Sequence, residues 1–533
     1  MTALRTASIA SALCGASMLA LSAQAATPDN ALVMAWNIDA ISTFDPAQIG
    51  EVVTNELILN ICDSLASFDP EDEKNVLPAV ARSWSASDDG RSITFELRDD
   101  LVFPSGNPVT AEDAAFSLKR VVELGFGNAA TLNEYGFVKE KIDEQVVVEG
   151  PHTLTLNLDK PYPTRLILQA IAANRVANVL DKKTVLEHEQ DGDLGNKYLT
   201  SNTECVGPYR LRQWNAGEVV VLEANENYGG EPAGLKRVII RHVAEAGAQR
   251  LLLEQGDVDV ARNLTAEDMR DLEQSDEIRV AKALQPQFFY MGFSEEDERL
   301  ANPKVREAFR WLVDYEGLGK TVMAYDGVPR ASFVQLGAFG ALDEKDGQPF
   351  SLDVDKAKAL LEEAGYGDGF EATLIIGTQP YASPIAQHVQ QNASKAGIRL
   401  DIEQMANAQL FSRYRGRDFD TIMLGWSTGV PDAHGMASRH VYNPDNSAEA
   451  KLTMYPSWRA SFYSEEYNKR VDEALFEQDE AKRAELYHQM QRDIMKDGPF
   501  AYLFQIVNTA GVRSSLDNWT WNGFRTYYDL ASK

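Results

Sequence analysis

The chain has 533 residues, enough for several domains and a sizeable core. Its 80 acidic and 51 basic residues leave a net charge of −29. That excess argues against nucleic acid, whose phosphates need clustered Lys and Arg, and against an anionic membrane surface. Met1 to Ala26 reads as a secretory leader, with Arg5, an apolar run from Ala7 to Leu21, then Ala23-Gln24-Ala25, so cleavage is expected at Ala25 or one residue to either side. The run is short for a membrane span, and nothing later in the sequence approaches one. Leu13 before Cys14 argues against a lipid-anchored leader, which needs a small residue there. Cys62 and Cys205 remain, and an oxidising compartment leaves them free to pair without deciding that they do.

In chain order, Ala31 to Trp36 is an apolar strand leading into Asn37-Ile38-Asp39-Ala40, and Glu51 to Leu65 has helical spacing. Asp88-Asp89-Gly90 signals a hairpin turn. Ser92 to Leu97 alternates as a half-buried strand, with Ile93, Phe95 and Leu97 on one face. Pro104 to Pro108 makes a second turn. Thr110 to Asp113 is a capping box that opens a helix through Ala114, Phe116, Leu118 and Val121. Gln145 to Leu158 suggests two strands around Gly150-Pro151, and Val219 to Glu223 a further one. The second half alternates helix and strand. Asp353 to Gly365 is a helix closed by Gly365, Glu371 to Ile376 a strand, Ile385 to Ala396 a helix and Ile398 to Ile402 a strand. Phe419 to Leu424 is a strand entering Gly425-Trp426 directly. Val471 to Glu477 and Ala481 to Met495 are helices, followed by the strand Tyr502 to Val507.

The ordered stretch from Leu77 to Arg120 closely resembles extracytoplasmic solute-binding proteins of the peptide/nickel class, the receptors of ABC importers for dipeptides and oligopeptides. It matches that family's hallmark at Ala81, Ser83-Trp84, Ser87 to Gly90, Thr94-Phe95, Leu97-Arg98, Phe103, Gly106, Pro108, Thr110 to Asp113 and Phe116 to Leu118, with Ala114 where Val is usual. Phe44-Asp45-Pro46-Ala47, Cys205-Val206-Gly207-Pro208-Tyr209, Gly256 to Val260 and Val305-Arg306-Glu307-Ala308 resemble further family segments, so the likeness spans the mature chain. It implies an α/β, two-lobed periplasmic-binding-protein (Venus-flytrap) fold with an extra subdomain in the first lobe at about 62–165. The expected boundaries are a first lobe over 27–285, a second over 286–505 and a return to the first over 506–533. It also implies a monomer in the periplasm of a Gram-negative bacterium, working with permease subunits in the inner membrane.

No enzymatic constellation survives inspection. Gly317 to Thr321 hints at a phosphate loop, but Asp314 stands where that pattern needs its first glycine, and Gly365 to Gly369 lacks dinucleotide-loop spacing. There is no HExxH. Of seven histidines only His434 and His440 lie close together, and a metal pair there is less expected than loop histidines satisfied by neighbours. A binder without cofactor or metal is the reading, with a secreted hydrolase as the remote alternative.

For the ligand, the resemblance points first to Gly425 to Asp432, where Trp426 is expected to contact it, with Ser427, Thr428 and Gly429 beside it. Relatives carry an Asp a few residues after this Trp that holds an α-ammonium, and Gly429 stands at that position here. Either Asp432 or Asp39 replaces it, or the ligand has no free amine. Phe288 and Tyr290 are expected on one face of a strand beside the cleft, opposite Phe289. The backbone of Asn37, Ile38, Asp39 and Ala40 is a candidate for pairing with an extended ligand. Tyr381, His434 and Arg439 complete the set, Arg439 as a carboxylate or phosphate holder. A peptide or peptide-like solute leads. A saccharide, an opine-type or another small polar solute lacking an α-amino group is the alternative, and a nickel or metal-chelate ligand is less expected.

Overall fold

In the computed structural model, residues 27–533 are described. The leader expectation at Met1 to Ala26 lies outside them. An 11-stranded sheet runs through the molecule in the order Ile398–Gln404, Phe370–Ile376, Thr421–Ser427, Ile278–Phe293, Phe500–Arg513, Val260–Ala261, Ala31–Trp36, Arg237–His242, Val219–Ala224 and Tyr209–Asn215, with Gly327–Pro329 paired to Phe500–Arg513 off that path. Two long antiparallel strands, Ile278–Phe293 and Phe500–Arg513, cross from one lobe to the other. Their ladder is interrupted between Leu284 and Phe288. Pro286 lies in the gap, where a residue with no N–H leaves no donor to misplace.

Each lobe is organised around its half of the sheet. On the second lobe, alternation sends Phe289 and Met291 into one core and Phe288 and Tyr290 into the other. On the first lobe, Leu32 and Met34 face one core, and Val33 and Ala35 the opposite one.

A separate four-stranded sheet, Ala81–Ala86, Ser92–Leu97, Thr153–Asn157 and Val146–Gly150, packs beside the first lobe. Ile93, Phe95 and Leu97 are buried while Ser92, Thr94 and Glu96 are half-exposed, as the alternation requires. The turn before it places Gly90 at φ +66°, a region open to glycine at little cost. Thr110 and Asp113 form the capping box of helix Ala111–Leu124, with the Thr110 N–H donating to Asp113 Oδ2 at 2.9 Å. Arg120, one turn from that helix's end, makes a buried bidentate pair with Asp45 at 2.7 and 2.6 Å. That pair gives the Phe44-Asp45-Pro46-Ala47 step a physical role: it ties the extra sheet's helix to the first lobe. Cys62 and Cys205 are joined in a disulfide closing a sequence separation of 143.

Candidate functional site

The two lobes meet in a cleft floored by the interrupted crossing strands. A cavity of about 250 Å³ is walled on the first-lobe side by the start of helix Val52–Ile61, Asn174-Arg175, Arg262 and the C-terminal stretch Trp521 to Thr526. On the second-lobe side it meets Ser427-Thr428-Gly429, with Gln285, Pro286 and Asn508 at the crossing. An adjoining opening of about 790 Å³ shares Glu51, Arg262, Pro286, Ser427 and Trp521 with it and extends to Trp36, Asn37 and Ala40. A third cavity of about 170 Å³ lies behind Ser427 to Gly429, against Trp426 and Arg439.

The lobes are closed on one another. Arg165 makes a bidentate pair with Glu480, both bonds 2.8 Å. Arg439 meets Glu134 at 3.0 Å. Asn174 Nδ2 donates to the Gly429 carbonyl at 3.2 Å, and Gln478 Nε2 to the Pro161 carbonyl at 2.8 Å. The Thr428 N–H donates to the Pro286 carbonyl at 2.9 Å, so the second-lobe loop is fastened to the crossing itself.

The first-lobe wall carries the charge. Arg262 pairs bidentately with Glu56, and its guanidinium lies between the rings of Trp36, at 4.2 Å, and Trp521, at 4.5 Å. The Glu51 carboxylate accepts the Ser42 hydroxyl at 2.7 Å and the Gly50 N–H at 3.3 Å. Burial pushes this carboxyl up, but those bonds more than offset it and hold it below its ordinary value. Arg175 spends three N–H bonds on neutral acceptors, Asn55 Oδ1 at 2.7 Å, the Ile49 carbonyl at 3.0 Å and Asn128 Oδ1 at 3.0 Å. Burial pulls its guanidinium down to about 10, with Glu51 acting the other way.

Several sequence expectations need correction. Asp432 is no amine anchor: it is fully buried, caps helix Ala433–His440 through the His434 N–H at 2.8 Å, and binds Arg483 at 2.7 and 2.8 Å. Phe288 and Tyr290 do share a face, but both are fully buried in the second-lobe core and reach no cleft. The strand expected to end at Leu424 continues to Ser427, so Gly425 and Trp426 are strand residues opposite Phe289 and Phe288. Trp426 therefore faces the third cavity, its ring 5.4 Å from that of His440, and lines neither of the two larger spaces.

Ile38 is buried, and the N–H groups of Asn37, Ile38 and Asp39 are taken by Asn263, His242 and Asn37 side chains, so those three residues offer no donor to an added strand. Asp39 turns to His242 at 3.4 Å. Tyr381 packs edge-on against Phe289 at 5.0 Å, on the core side. His434 is buried against the Tyr487 hydroxyl, and burial, with Arg483, pulls it to about 3, so it stays neutral. His440 bonds the Tyr502 hydroxyl at 2.8 Å. Arg439 is committed to Glu134.

Ser427, Thr428, Gly429, Asn37 and Ala40 do line the cavities. A Cβ at Gly429 would meet nothing closer than Asn174 Oδ1 at 3.7 Å, so sterics do not demand glycine there. Glu51, Asn55, Asn174, Arg175, Arg262 and Trp521 were not expected. Asn55 interrupts an apolar helical run, which is common on any surface, and the other five carried no pattern in the sequence.

The family model for bacterial extracellular solute-binding proteins, family 5 Middle, matches residues 75–448. The chain belongs to that family. This solute-binding protein is 27% identical over 488 residues to the "Probable D,D-dipeptide-binding periplasmic protein DdpA" of Escherichia coli (strain K12), covering 91% of this chain and 90% of that one. It is 25% identical over 483 residues to "Dipeptide-binding protein DppE" of Bacillus subtilis (strain 168), covering 86% and 83%. Among solved structures it resembles HbpA2 from Haemophilus parasuis, with TM-score 0.81 and 20% identity over 94% of this chain and 99% of that one. It also resembles the unliganded open form of MppA, a periplasmic murein tripeptide binding protein, with TM-score 0.76, 21% identity, and 95% and 98% covered. The fold is thus the two-lobed α/β fold of periplasmic binding proteins. Among the described residues, no helix is long and apolar enough to cross a membrane.

Proposed function

We propose that this solute-binding protein captures a short peptide or peptide-like solute between its lobes in the periplasm and presents the closed form to the permease of an ABC importer, as a monomer and without catalysis. The boundaries fitting this role are 27–285 with 506–533 for one lobe and 286–505 for the other. The observation that carries the reading is the cavity of about 250 Å³ at the crossing strands, reached from both lobes. Asn55, Asn174, Asn508, Asn522 and Ser427 offer it side-chain amides and a hydroxyl, which match the alternating donors and acceptors of a peptide unit. The names of the relatives DdpA and DppE support a dipeptide. Ligand contacts to both walls would favour the closed state, and closure is what a permease reads.

Native mass spectrometry of the purified mature protein, followed by denaturing release, tests this. A released mass with amino-acid fragments is expected. A released sugar or metal chelate would overturn the peptide reading.

A further inference from the structure

A second contact between the lobes lies away from the cleft. There the second lobe presents one loop, Phe476 to Glu480, which joins helices Glu465–Phe476 and Glu480–Asp497. The extra subdomain receives it on the segment Lys160 to Arg165, which leads from the strand Thr153–Asn157 into helix Thr164–Ala173. Leu475 and Phe476 pack against the subdomain's apolar core, and Val430, also of the second lobe, is buried within it. The Phe476 ring lies 5.7 Å from that of Tyr162, and the Lys160 ammonium sits over it at 5.7 Å. Gln478 Nε2 donates to the Pro161 carbonyl, and Arg165 holds Glu480 by its two bonds of 2.8 Å. Arg165 is itself placed by the Lys74 carbonyl at 2.9 Å. The Gly90 turn closes the far side: a Cβ there would stand 3.5 Å from Pro161 and 3.7 Å from Gln478 Oε1.

This seam has the make-up of a contact that can open. The Glu480 and Arg165 side chains are 56% and 26% exposed, so water replaces their bonds at little cost when the lobes part. Its apolar centre is small, and Leu475 and Phe476 are only half-buried. No residue from Lys160 to Arg165 or from Leu475 to Glu480 lines any of the three cavities.

We infer that the extra subdomain is a latch: it grips the Phe476 to Glu480 loop of the second lobe and stabilises the closed form from outside the cleft, setting solute affinity without touching the solute. Contacts made only when the lobes are closed favour that state whether or not a solute is present. Where the free protein is mainly open, every factor they add to the closed population is a factor gained in affinity. This goes beyond the peptide reading and holds for any solute captured by closure. It also gives the Asp88-Asp89-Gly90 turn a role besides reversing the chain, since its tip backs the segment that grips the loop.

Charge reversal across the ion pair tests the latch on the whole mature protein. Asn174→Cys with Gly429→Cys places two thiols across the cleft, where a Cβ at 429 stands 3.7 Å from Asn174 Oδ1. The rate at which they cross-link in protein stripped of solute reports how often the lobes close. Arg165→Glu and Glu480→Arg are each expected to slow cross-linking about 2- to 5-fold, the range of an exposed ion pair. The two together should restore it, which a merely loosened fold would not do. Phe476→Ala should slow it about tenfold. With Asn174 and Gly429 intact, calorimetry should show dialanine affinity falling and recovering by the same factors. Rates that ignore the reversals, or a double reversal that recovers nothing, would overturn the latch and leave the peptide reading standing. Cross-linking that follows the reversals while dialanine binds to no variant would remove the peptide reading and keep the latch.

Discussion

Asp432 and Arg483 are fully buried and hold each other by two bonds, while Asp432 also caps the helix that follows the cleft loop. Removing one partner leaves the other charge buried and uncompensated, a loss of about 3–5 kcal/mol. Asp432→Asn is therefore expected to lower unfolding stability by that order in chemical denaturation, while the ratio of dialanine to N-acetyl-dialanine affinity stays as it was. A stable variant that no longer distinguishes the two would return Asp432 to the ligand. Glu73 carries a pH dependence. Its carboxylate accepts the Gly523 N–H at 3.2 Å, and a Cβ on Gly337 of the other lobe would lie 2.8 Å from its Oε1, so closure packs both lobes around it. Burial pushes this carboxyl up to about 7 from an ordinary 4.5, with the Gly523 bond and Lys74 opposing, and Asp72 adding. Tyr527 also lies near. An acid raised on closure takes up a proton as the lobes close. Its favourable contribution is complete below about pH 4.5 and is lost as pH climbs through 7. Calorimetry across pH 5 to 7.5 should show affinity falling, by at most about tenfold per unit, and Glu73→Gln should flatten the profile.

At the scale of elements, the legible features were those written in local chemistry. The capping box at Thr110 to Asp113, the turn at Gly90 and the alternation of Ser92 to Leu97 each depend on residues within a few positions, and each stands in the structure. Phe288, Phe289 and Tyr290 show where that legibility stops. Period two assigned their faces correctly, but nothing in the strand tells which faces are covered, and helices packed on both sides bury all three. The end of the strand at Leu424 was missed for a related reason. Gly425, Trp426 and Ser427 are held as strand by pairing with Phe289, Phe288 and Gln287, about 140 positions earlier in the chain. The cleft residues Glu51, Arg175 and Trp521 come from three distant segments, so only the fold brings them to one cavity. Family resemblance supplied the architecture; it could not supply this wall.

At the scale of the whole molecule, the 11-stranded sheet is shared by the two lobes, with a break at Pro286 where the crossing strands lose register. The Thr428 N–H donates to the Pro286 carbonyl at that break, which fastens the second-lobe loop to the crossing. The Cys62–Cys205 bridge lies within the first lobe and spans a separation of 143, which in the chain-entropy account stabilises by up to about 5 kcal/mol. Reduction, or Cys62→Ser with Cys205→Ser, should lower the thermal midpoint without changing dialanine affinity at a temperature where the fold persists. Weakened affinity there would place the bridge in the binding mechanism.

The account's central claim is that solute is held by closing two lobes around the cavity at the crossing strands. Small-angle X-ray scattering of the mature protein, first stripped of solute by denaturation and refolding and then titrated with dialanine, tests it most directly. A smaller radius of gyration at saturation, matching the closed arrangement, is the predicted result. Saturation with no change in shape would contradict capture by closure.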